Sequence, residues 1–184
     1  LVPATPEKNG KPAKIEDKAE FVVRDVRVFD GEKTWPRASV HVRDGLIVAI
    51  GETLVVPKDA QVIEGAGRTL LPGLIDAHVH VTAASHDLVG LALKPPSLIT
   101  AHSAKIMHGM LMRGFTTVRD AAGADFGLRE AVAKGLFAGP RLFIAGQAIS
   151  QTGGHGDVRP IGVRQNILCS CAGLGMLGLI ADGV

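Results

Sequence analysis

The sequence predicts an α/β protein in two parts: a small all-β module, followed by a strand–helix series that begins a barrel or an open parallel sheet. Three observations carry this. Residues 20–67 are short β-prone runs separated by turn pairs. From Arg68 onward, strand and helix patterns alternate. The first strand of that alternation keeps one apolar face and closes on His78-Val79-His80.

Residues 1–19 form a polar, Pro-containing lead that is expected to be flexible. In the β module, Val22-Val23 and residues 26–29 are β-prone and stop at Asp30-Gly31, a turn signal. Residues 39–43 alternate, with Val40 and Val42 on one face. Asp44-Gly45 then suits a two-residue hairpin, whose central positions both need positive φ. Residues 46–50 return as the partner strand, and residues 61–63 form a further short one. A module of this size buries little surface alone and needs a packing partner.

The second part, residues 68–184, opens on a strand with Ile75, Ala77, Val79 and Val81 on one face and Leu74, Asp76, His78 and His80 on the other. Covering on both faces is expected, as in parallel sheets. After a loop containing His86, Asp87 and Pro95-Pro96, residues 97–113 read as a helix, with Ile99, Ile106 and Met110 beside Met107 and Leu111. Gly114 caps it. Residues 115–118 form a second strand ending at Arg119-Asp120. Residues 126–136 form a second helix, with Leu128, Val132 and Leu136 on one face and Gly139-Pro140 as its stop. Residues 141–145 form a third strand, followed by the Gly-rich stretch Ser150-Gln151-Thr152-Gly153-Gly154-His155-Gly156-Asp157. This βαβαβ order implies right-handed crossovers. A closed barrel of this kind takes about 250 residues, so the barrel is expected to be incomplete in this chain.

Composition narrows the function. Of the 184 residues, 46% are hydrophobic and 21% charged, enough apolar material for a core. A net charge of +2, with scattered Lys and Arg, argues against nucleic acid or an anionic membrane as partner. No signal peptide is visible, although the first residue is Leu rather than Met. The longest apolar stretch, residues 167–180, is shorter than the ~20 residues of a membrane span. A soluble, cytoplasmic protein is expected. Cys169 and Cys171 are too close for a disulfide framework, and Ile167, Leu168, Leu174 and Leu177 favour apolar burial over soft-metal binding.

His78 and His80 carry the chemistry. Two histidines at i and i+2 of a strand point the same way and can chelate one cation. They sit at the C-terminal strand end, where barrel active sites lie. Two hydrogen-bonded histidines at a strand end remain the alternative on spacing alone. Asp76, one layer deeper, reads as support for a ligand or as a buried polar contact, not as a ligand. Arg119 and Asp120 either line the site mouth or, as we favour, tie strand to loop. His86, His102, His108 and His41 read as residues outside the site. Asp157 reads as a loop-holding carboxylate.

Pro72-Gly73-Leu74-Ile75-Asp76-Ala77-His78-Val79-His80 resembles the opening signature of the amidohydrolase superfamily, which folds as a (β/α)8 TIM-type barrel with a small β-sandwich built from both chain ends. Further motifs follow in order: Leu93-Lys94-Pro95-Pro96, Met112-Arg113-Gly114-Phe115-Thr116-Thr117-Val118-Arg119-Asp120, Gly139-Pro140-Arg141 and residues 150–157. Together they resemble the branch of prolidase-like (Xaa-Pro dipeptidase), ochratoxinase-like and imidazolonepropionase-related amidohydrolases. The resemblance implies a β-sandwich module at residues 20–67 and the N-terminal portion of a barrel at 68–184. It implies that His78 and His80 bind a divalent metal, zinc foremost, and that the complete enzyme holds one or two ions. It implies that His155 faces the substrate or the oxyanion of the transition state; a turn histidine without catalytic duty is the alternative. The implied reaction is hydrolysis of a C–N bond in a small amide or dipeptide by metal-activated water, in a full-length homo-oligomer. The family's carboxylated Lys, later His ligands and water-activating Asp have no counterparts here. Residues 161–180 depart from the pattern, and Ala181-Asp182-Gly183-Val184 resembles the first turn of the third barrel helix. An N-terminal fragment, inactive alone, is therefore expected. Two other readings stand beside it: a truncated, non-catalytic binding module, and a cyclic-amide hydrolase of the imidazolonepropionase type.

Overall fold

The computed structural model describes residues 20–87, 90, 91, 93–157 and 178–183. It divides into two compact units, Leu1–Pro72 and Gly73–Val184.

The first unit is a five-stranded sheet in the order β3-β2-β1-β4, with β5 also pairing β1. Its strands are β1 (Phe21–Phe29), β2 (Thr34–Arg43), β3 (Leu46–Gly51), β4 (Gln61–Glu64) and β5 (Thr69–Leu70). The expected turns are present. Asp30 Oδ1 accepts the amides of Glu32 and Lys33 at 2.9 and 2.7 Å, closing the β1–β2 turn. Asp44 and Gly45 take φ of 51° and 75°, the two positive values a tight hairpin demands. β1 is one strand where the sequence suggested two runs. The interruption is Asp25, at φ 55°, where the β1–β2 register shifts. Beyond that point β1 exchanges its parallel partner, from β4 to β5. Thr69 and Leu70, read from sequence as leading into the second segment, thus belong to this sheet. Val26, Val28, Ala38 and Val40 form its core.

The second unit contains β6 (Leu74–Val79), α1 (Pro96–Met112), β7 (Phe115–Asp120), α2 (Phe126–Ala133), β8 (Arg141–Ile144), β9 (Ile149–Ser150) and β10 (Leu179–Ile180). β6, β7 and β8 pair in parallel, in that order. Val79, Val81, Met107, Val118, Ala124, Leu128 and Leu142 form one core from strand, loop and helix. Burial of each large apolar side chain contributes roughly 1.5–3 kcal/mol relative to exposure.

Three expectations need correction. The apolar face of β6 is covered only at its C-terminal end: Val79 and Val81 are buried, whereas Ile75 is 73% exposed. α2 ends at Ala133 rather than Leu136, because Gly135 turns to φ 67° and Leu136 projects into solvent. Residues 181–183 form no helix; they follow β10, which pairs in parallel with β9. Asp182 there accepts the Thr152 amide at 2.6 Å and its hydroxyl at 2.7 Å. Cys169 and Cys171 lie outside the described residues.

Candidate metal centre

The site begins at Gly73. A Cβ there would lie 2.0 Å from Thr116 Oγ1 and 2.6 Å from its Cβ, so only glycine lets β6 start this close to β7. The strand then carries His78 and His80 to its C-terminal end. Their ring centroids are 5.2 Å apart, with planes at 82°. Two imidazoles sharing one tetrahedral ion, with metal–nitrogen bonds of about 2.0–2.1 Å, place their centroids about 5 Å apart, which is the separation of this pair.

The surroundings also discriminate between the ring nitrogens. His80 Nδ1 lies 3.2 Å from the carbonyl oxygen of Ala122. A carbonyl only accepts, so Nδ1 is the donor, and in the neutral ring the lone pair is then on Nε2. Asp76 Oδ1 accepts the backbone amide of His78 at 3.0 Å and bonds to neither ring. The β6–β7 register shifts between Asp76 and Val79, so the strict alternation expected from Asp76 to His78 is interrupted.

Asp120 is fully buried at the end of β7. Its Oδ2 accepts the Val81 amide at 2.7 Å and its Oδ1 the Ala124 amide at 3.0 Å. Burial pushes its carboxyl above the ordinary value, and the amides of Ala124 and Val81 pull the other way. The strand-to-loop reading of Asp120 therefore holds. Arg119 is exposed. The Ala122 carbonyl is a functional group that side-chain patterns could not reveal.

His155 is exposed on a turn after β9. The turn is pinned by the Gly153 amide donating to Asp157 Oδ2 at 2.8 Å and the Gly156 amide donating to Ser150 Oγ at 3.1 Å. Asp157 thus holds the loop, as its position suggested. His155 shares no hydrogen bond or ring contact with His78 or His80, so the structure brings together the pair but does not join His155 to it. His86, His102 and His108 are exposed, and His41 pairs with Glu20 in the first unit. Among the described residues, no group of three or more His, Cys, Asp or Glu is placed to cage a metal. A catalytic zinc usually takes three protein ligands and a water. No described helix is long and apolar enough to cross a membrane.

The sequence model of the amidohydrolase family matches residues 69–172, more than half of the chain. The ochratoxinase of Aspergillus niger is 32% identical over 139 residues, covering 70% of this chain and 28% of that enzyme. An amidohydrolase crystal structure is 40% identical with a TM-score of 0.80, over 90% of this chain and 41% of its own. A prolidase complexed with N-methylphosphonate-L-proline is 39% identical with a TM-score of 0.77, over 86% of this chain and 40% of its own. These are relatives of the kind the ordered motifs indicated. The chain spans well under half the length of each.

Proposed function

Because the chain belongs to the amidohydrolase family, we propose that it is the N-terminal portion of a metal-dependent hydrolase acting on the C–N bond of a dipeptide or an N-acyl amino acid. The single observation that carries this is the His78–His80 pair with Nδ1 of His80 held by a carbonyl, which leaves Nε2 free to bind. His78 and His80 would hold a divalent metal, zinc by their imidazole chemistry. When bound, such an ion lowers the pKa of a water and polarises an amide carbonyl. The Ala122 carbonyl keeps the His80 imidazole in register for that ion, and Asp76 holds the backbone amide of His78. His155, exposed on its pinned turn, faces the substrate and donates to the oxygen that gains charge. The substrate class follows the names of the relatives, an ochratoxinase and a prolidase. In this reading residues 20–67, together with β5 (Thr69–Leu70), belong to a β-sandwich, the remainder of residues 68–184 to the first part of a (β/α)8 barrel, and the 184-residue chain alone is inactive.

The test is metal content of the purified chain by plasma mass spectrometry, beside a His78→Ala/His80→Ala double variant. Zinc bound by the parent and lost from the double variant is expected. Equal metal content in both proteins would overturn the assignment of the pair as ligands.

A further inference from the structure

One carboxylate reaches both pieces of backbone that set the His80 ring. Asp120 Oδ2 accepts the amide of Val81, the residue that follows His80 in the chain. Asp120 Oδ1 accepts the amide of Ala124, two residues past the carbonyl that receives His80 Nδ1. The segment between them is Ala121-Ala122-Gly123-Ala124, which has no polar side chain of its own to hold it. Backbone bonds complete the arrangement. The Ala121 amide donates to Val79 O at 2.9 Å and the Gly123 amide to Gly146 O at 2.9 Å. Asp120 and Ala124 are both 0% exposed, so water does not compete for these bonds.

We infer that Asp120 is the positioning residue of His80: its carboxylate fixes the chain beside the histidine and the loop carbonyl that orients the imidazole. The orientation of the ring stands on the hydrogen bonds alone; the consequence for metal rests on the function proposed above. Asp120→Asn keeps the volume but replaces one acceptor with an NH2 group. That donor then faces a backbone N–H, and one of the two bonds is lost.

The experiment is nitrogen NMR of the imidazoles in the metal-free chain, for the parent, Asp120→Asn and Leu142→Ala. Leu142 is a core residue 4% exposed, so its variant reports a loss of stability without a change at the histidine. His80 is expected as a single tautomer with the proton on Nδ1 in the parent and in Leu142→Ala, and as a mixture in Asp120→Asn. Zinc affinity, read by chelator competition, is expected to fall about 10–100-fold in Asp120→Asn alone. A His80 that keeps its Nδ1 proton in Asp120→Asn would overturn the inference. A parent that binds no zinc, with the tautomer still shifted by Asp120→Asn, would sink the proposed function and leave Asp120 as the residue that sets the ring. If Asp120→Asn does not fold, hydrogen exchange in the parent decides. One clamp predicts that the amides of Val81 and Ala124 open together, at a common rate. Independent opening of the two would refute it.

Discussion

Glu20 accepts from Arg43 at 2.7 Å and shares a 2.8 Å hydrogen bond with His41. These contacts, that with Arg43 foremost, hold its carboxyl below the ordinary 4.5. A carboxylate lowered in the folded state stabilises the fold above its unfolded pKa, and that contribution disappears as pH falls through the lower, folded value. Glu20→Gln is therefore expected to melt below the parent at pH 7 and to converge with it as pH drops beneath 4.5. Thermal melts across that range check it; parallel curves at all pH values would show that the ionised carboxylate is not what matters. Asp120 lies in the opposite situation, where burial outweighs two amide donors and raises the carboxyl. At this scale the sequence was informative where chemistry sits on side chains. His78-x-His80 was legible because strand geometry forces i and i+2 onto one face. The carbonyl that orients His80 was not, because Ala122 carries no polar side chain and its role exists only once β7 lies beside β6.

Element ends were legible where one residue type is physically required. Asp44-Gly45 announced the β2–β3 hairpin, and Gly114, at φ 95°, closes α1 as expected. A Cβ on Gly114 would meet only Leu74 Cδ1 at 3.9 Å, an ordinary contact. Gly114→Ala should therefore lose only the conformational term, about 1–2 kcal/mol. Gly73→Ala is different, since Thr116 occupies the space and cannot retreat without moving β7. Its cost is expected at the upper part of the ~1–3 kcal/mol typical of overpacking. Denaturant titration of both variants tests the order. A Gly73→Ala protein as stable as the parent would mean that β6 and β7 are not held at this separation. The remaining elements were illegible for definable reasons. β5 and β10 are two residues each, too short to show a period. The Gly139-Pro140 signal for the end of α2 was outcompeted by Gly135, which offers a left-handed cap earlier. The buried stripe of α1 runs through Ile99, Ser103 and Met107. Ser103 escaped notice because its hydroxyl satisfies itself on the Ile99 carbonyl at 2.8 Å and so tolerates burial.

At the scale of the molecule, one face of the β6–β7–β8 sheet is covered among the described residues. Val118, Asp120 and Leu142 alternate inward and are buried, while Arg119, Arg141 and Phe143 occupy the other positions and are exposed, Phe143 by 54%. Parallel sheets are ordinarily covered on both faces. Among the described residues the second face of the sheet is open and no third ligand joins the two histidines. The chain matches 28% of the ochratoxinase and 41% of the amidohydrolase structure. The expected outcome is that the 184-residue chain, supplied with zinc, releases no proline from a Xaa-Pro dipeptide and no amine from an N-acyl amino acid above the rate of the His78→Ala/His80→Ala variant. Amino-acid analysis after long incubation measures this directly. The double variant matters because a trace of contaminating peptidase would act equally in both samples. Hydrolysis that exceeds the variant's would show that two imidazoles and the groups around them suffice, and that the third ligand and the base lie within these residues. Hydrolysis at the variant's level in both is what an incomplete metal centre requires, since an ion held by two imidazoles alone lacks the third protein ligand a catalytic zinc usually takes.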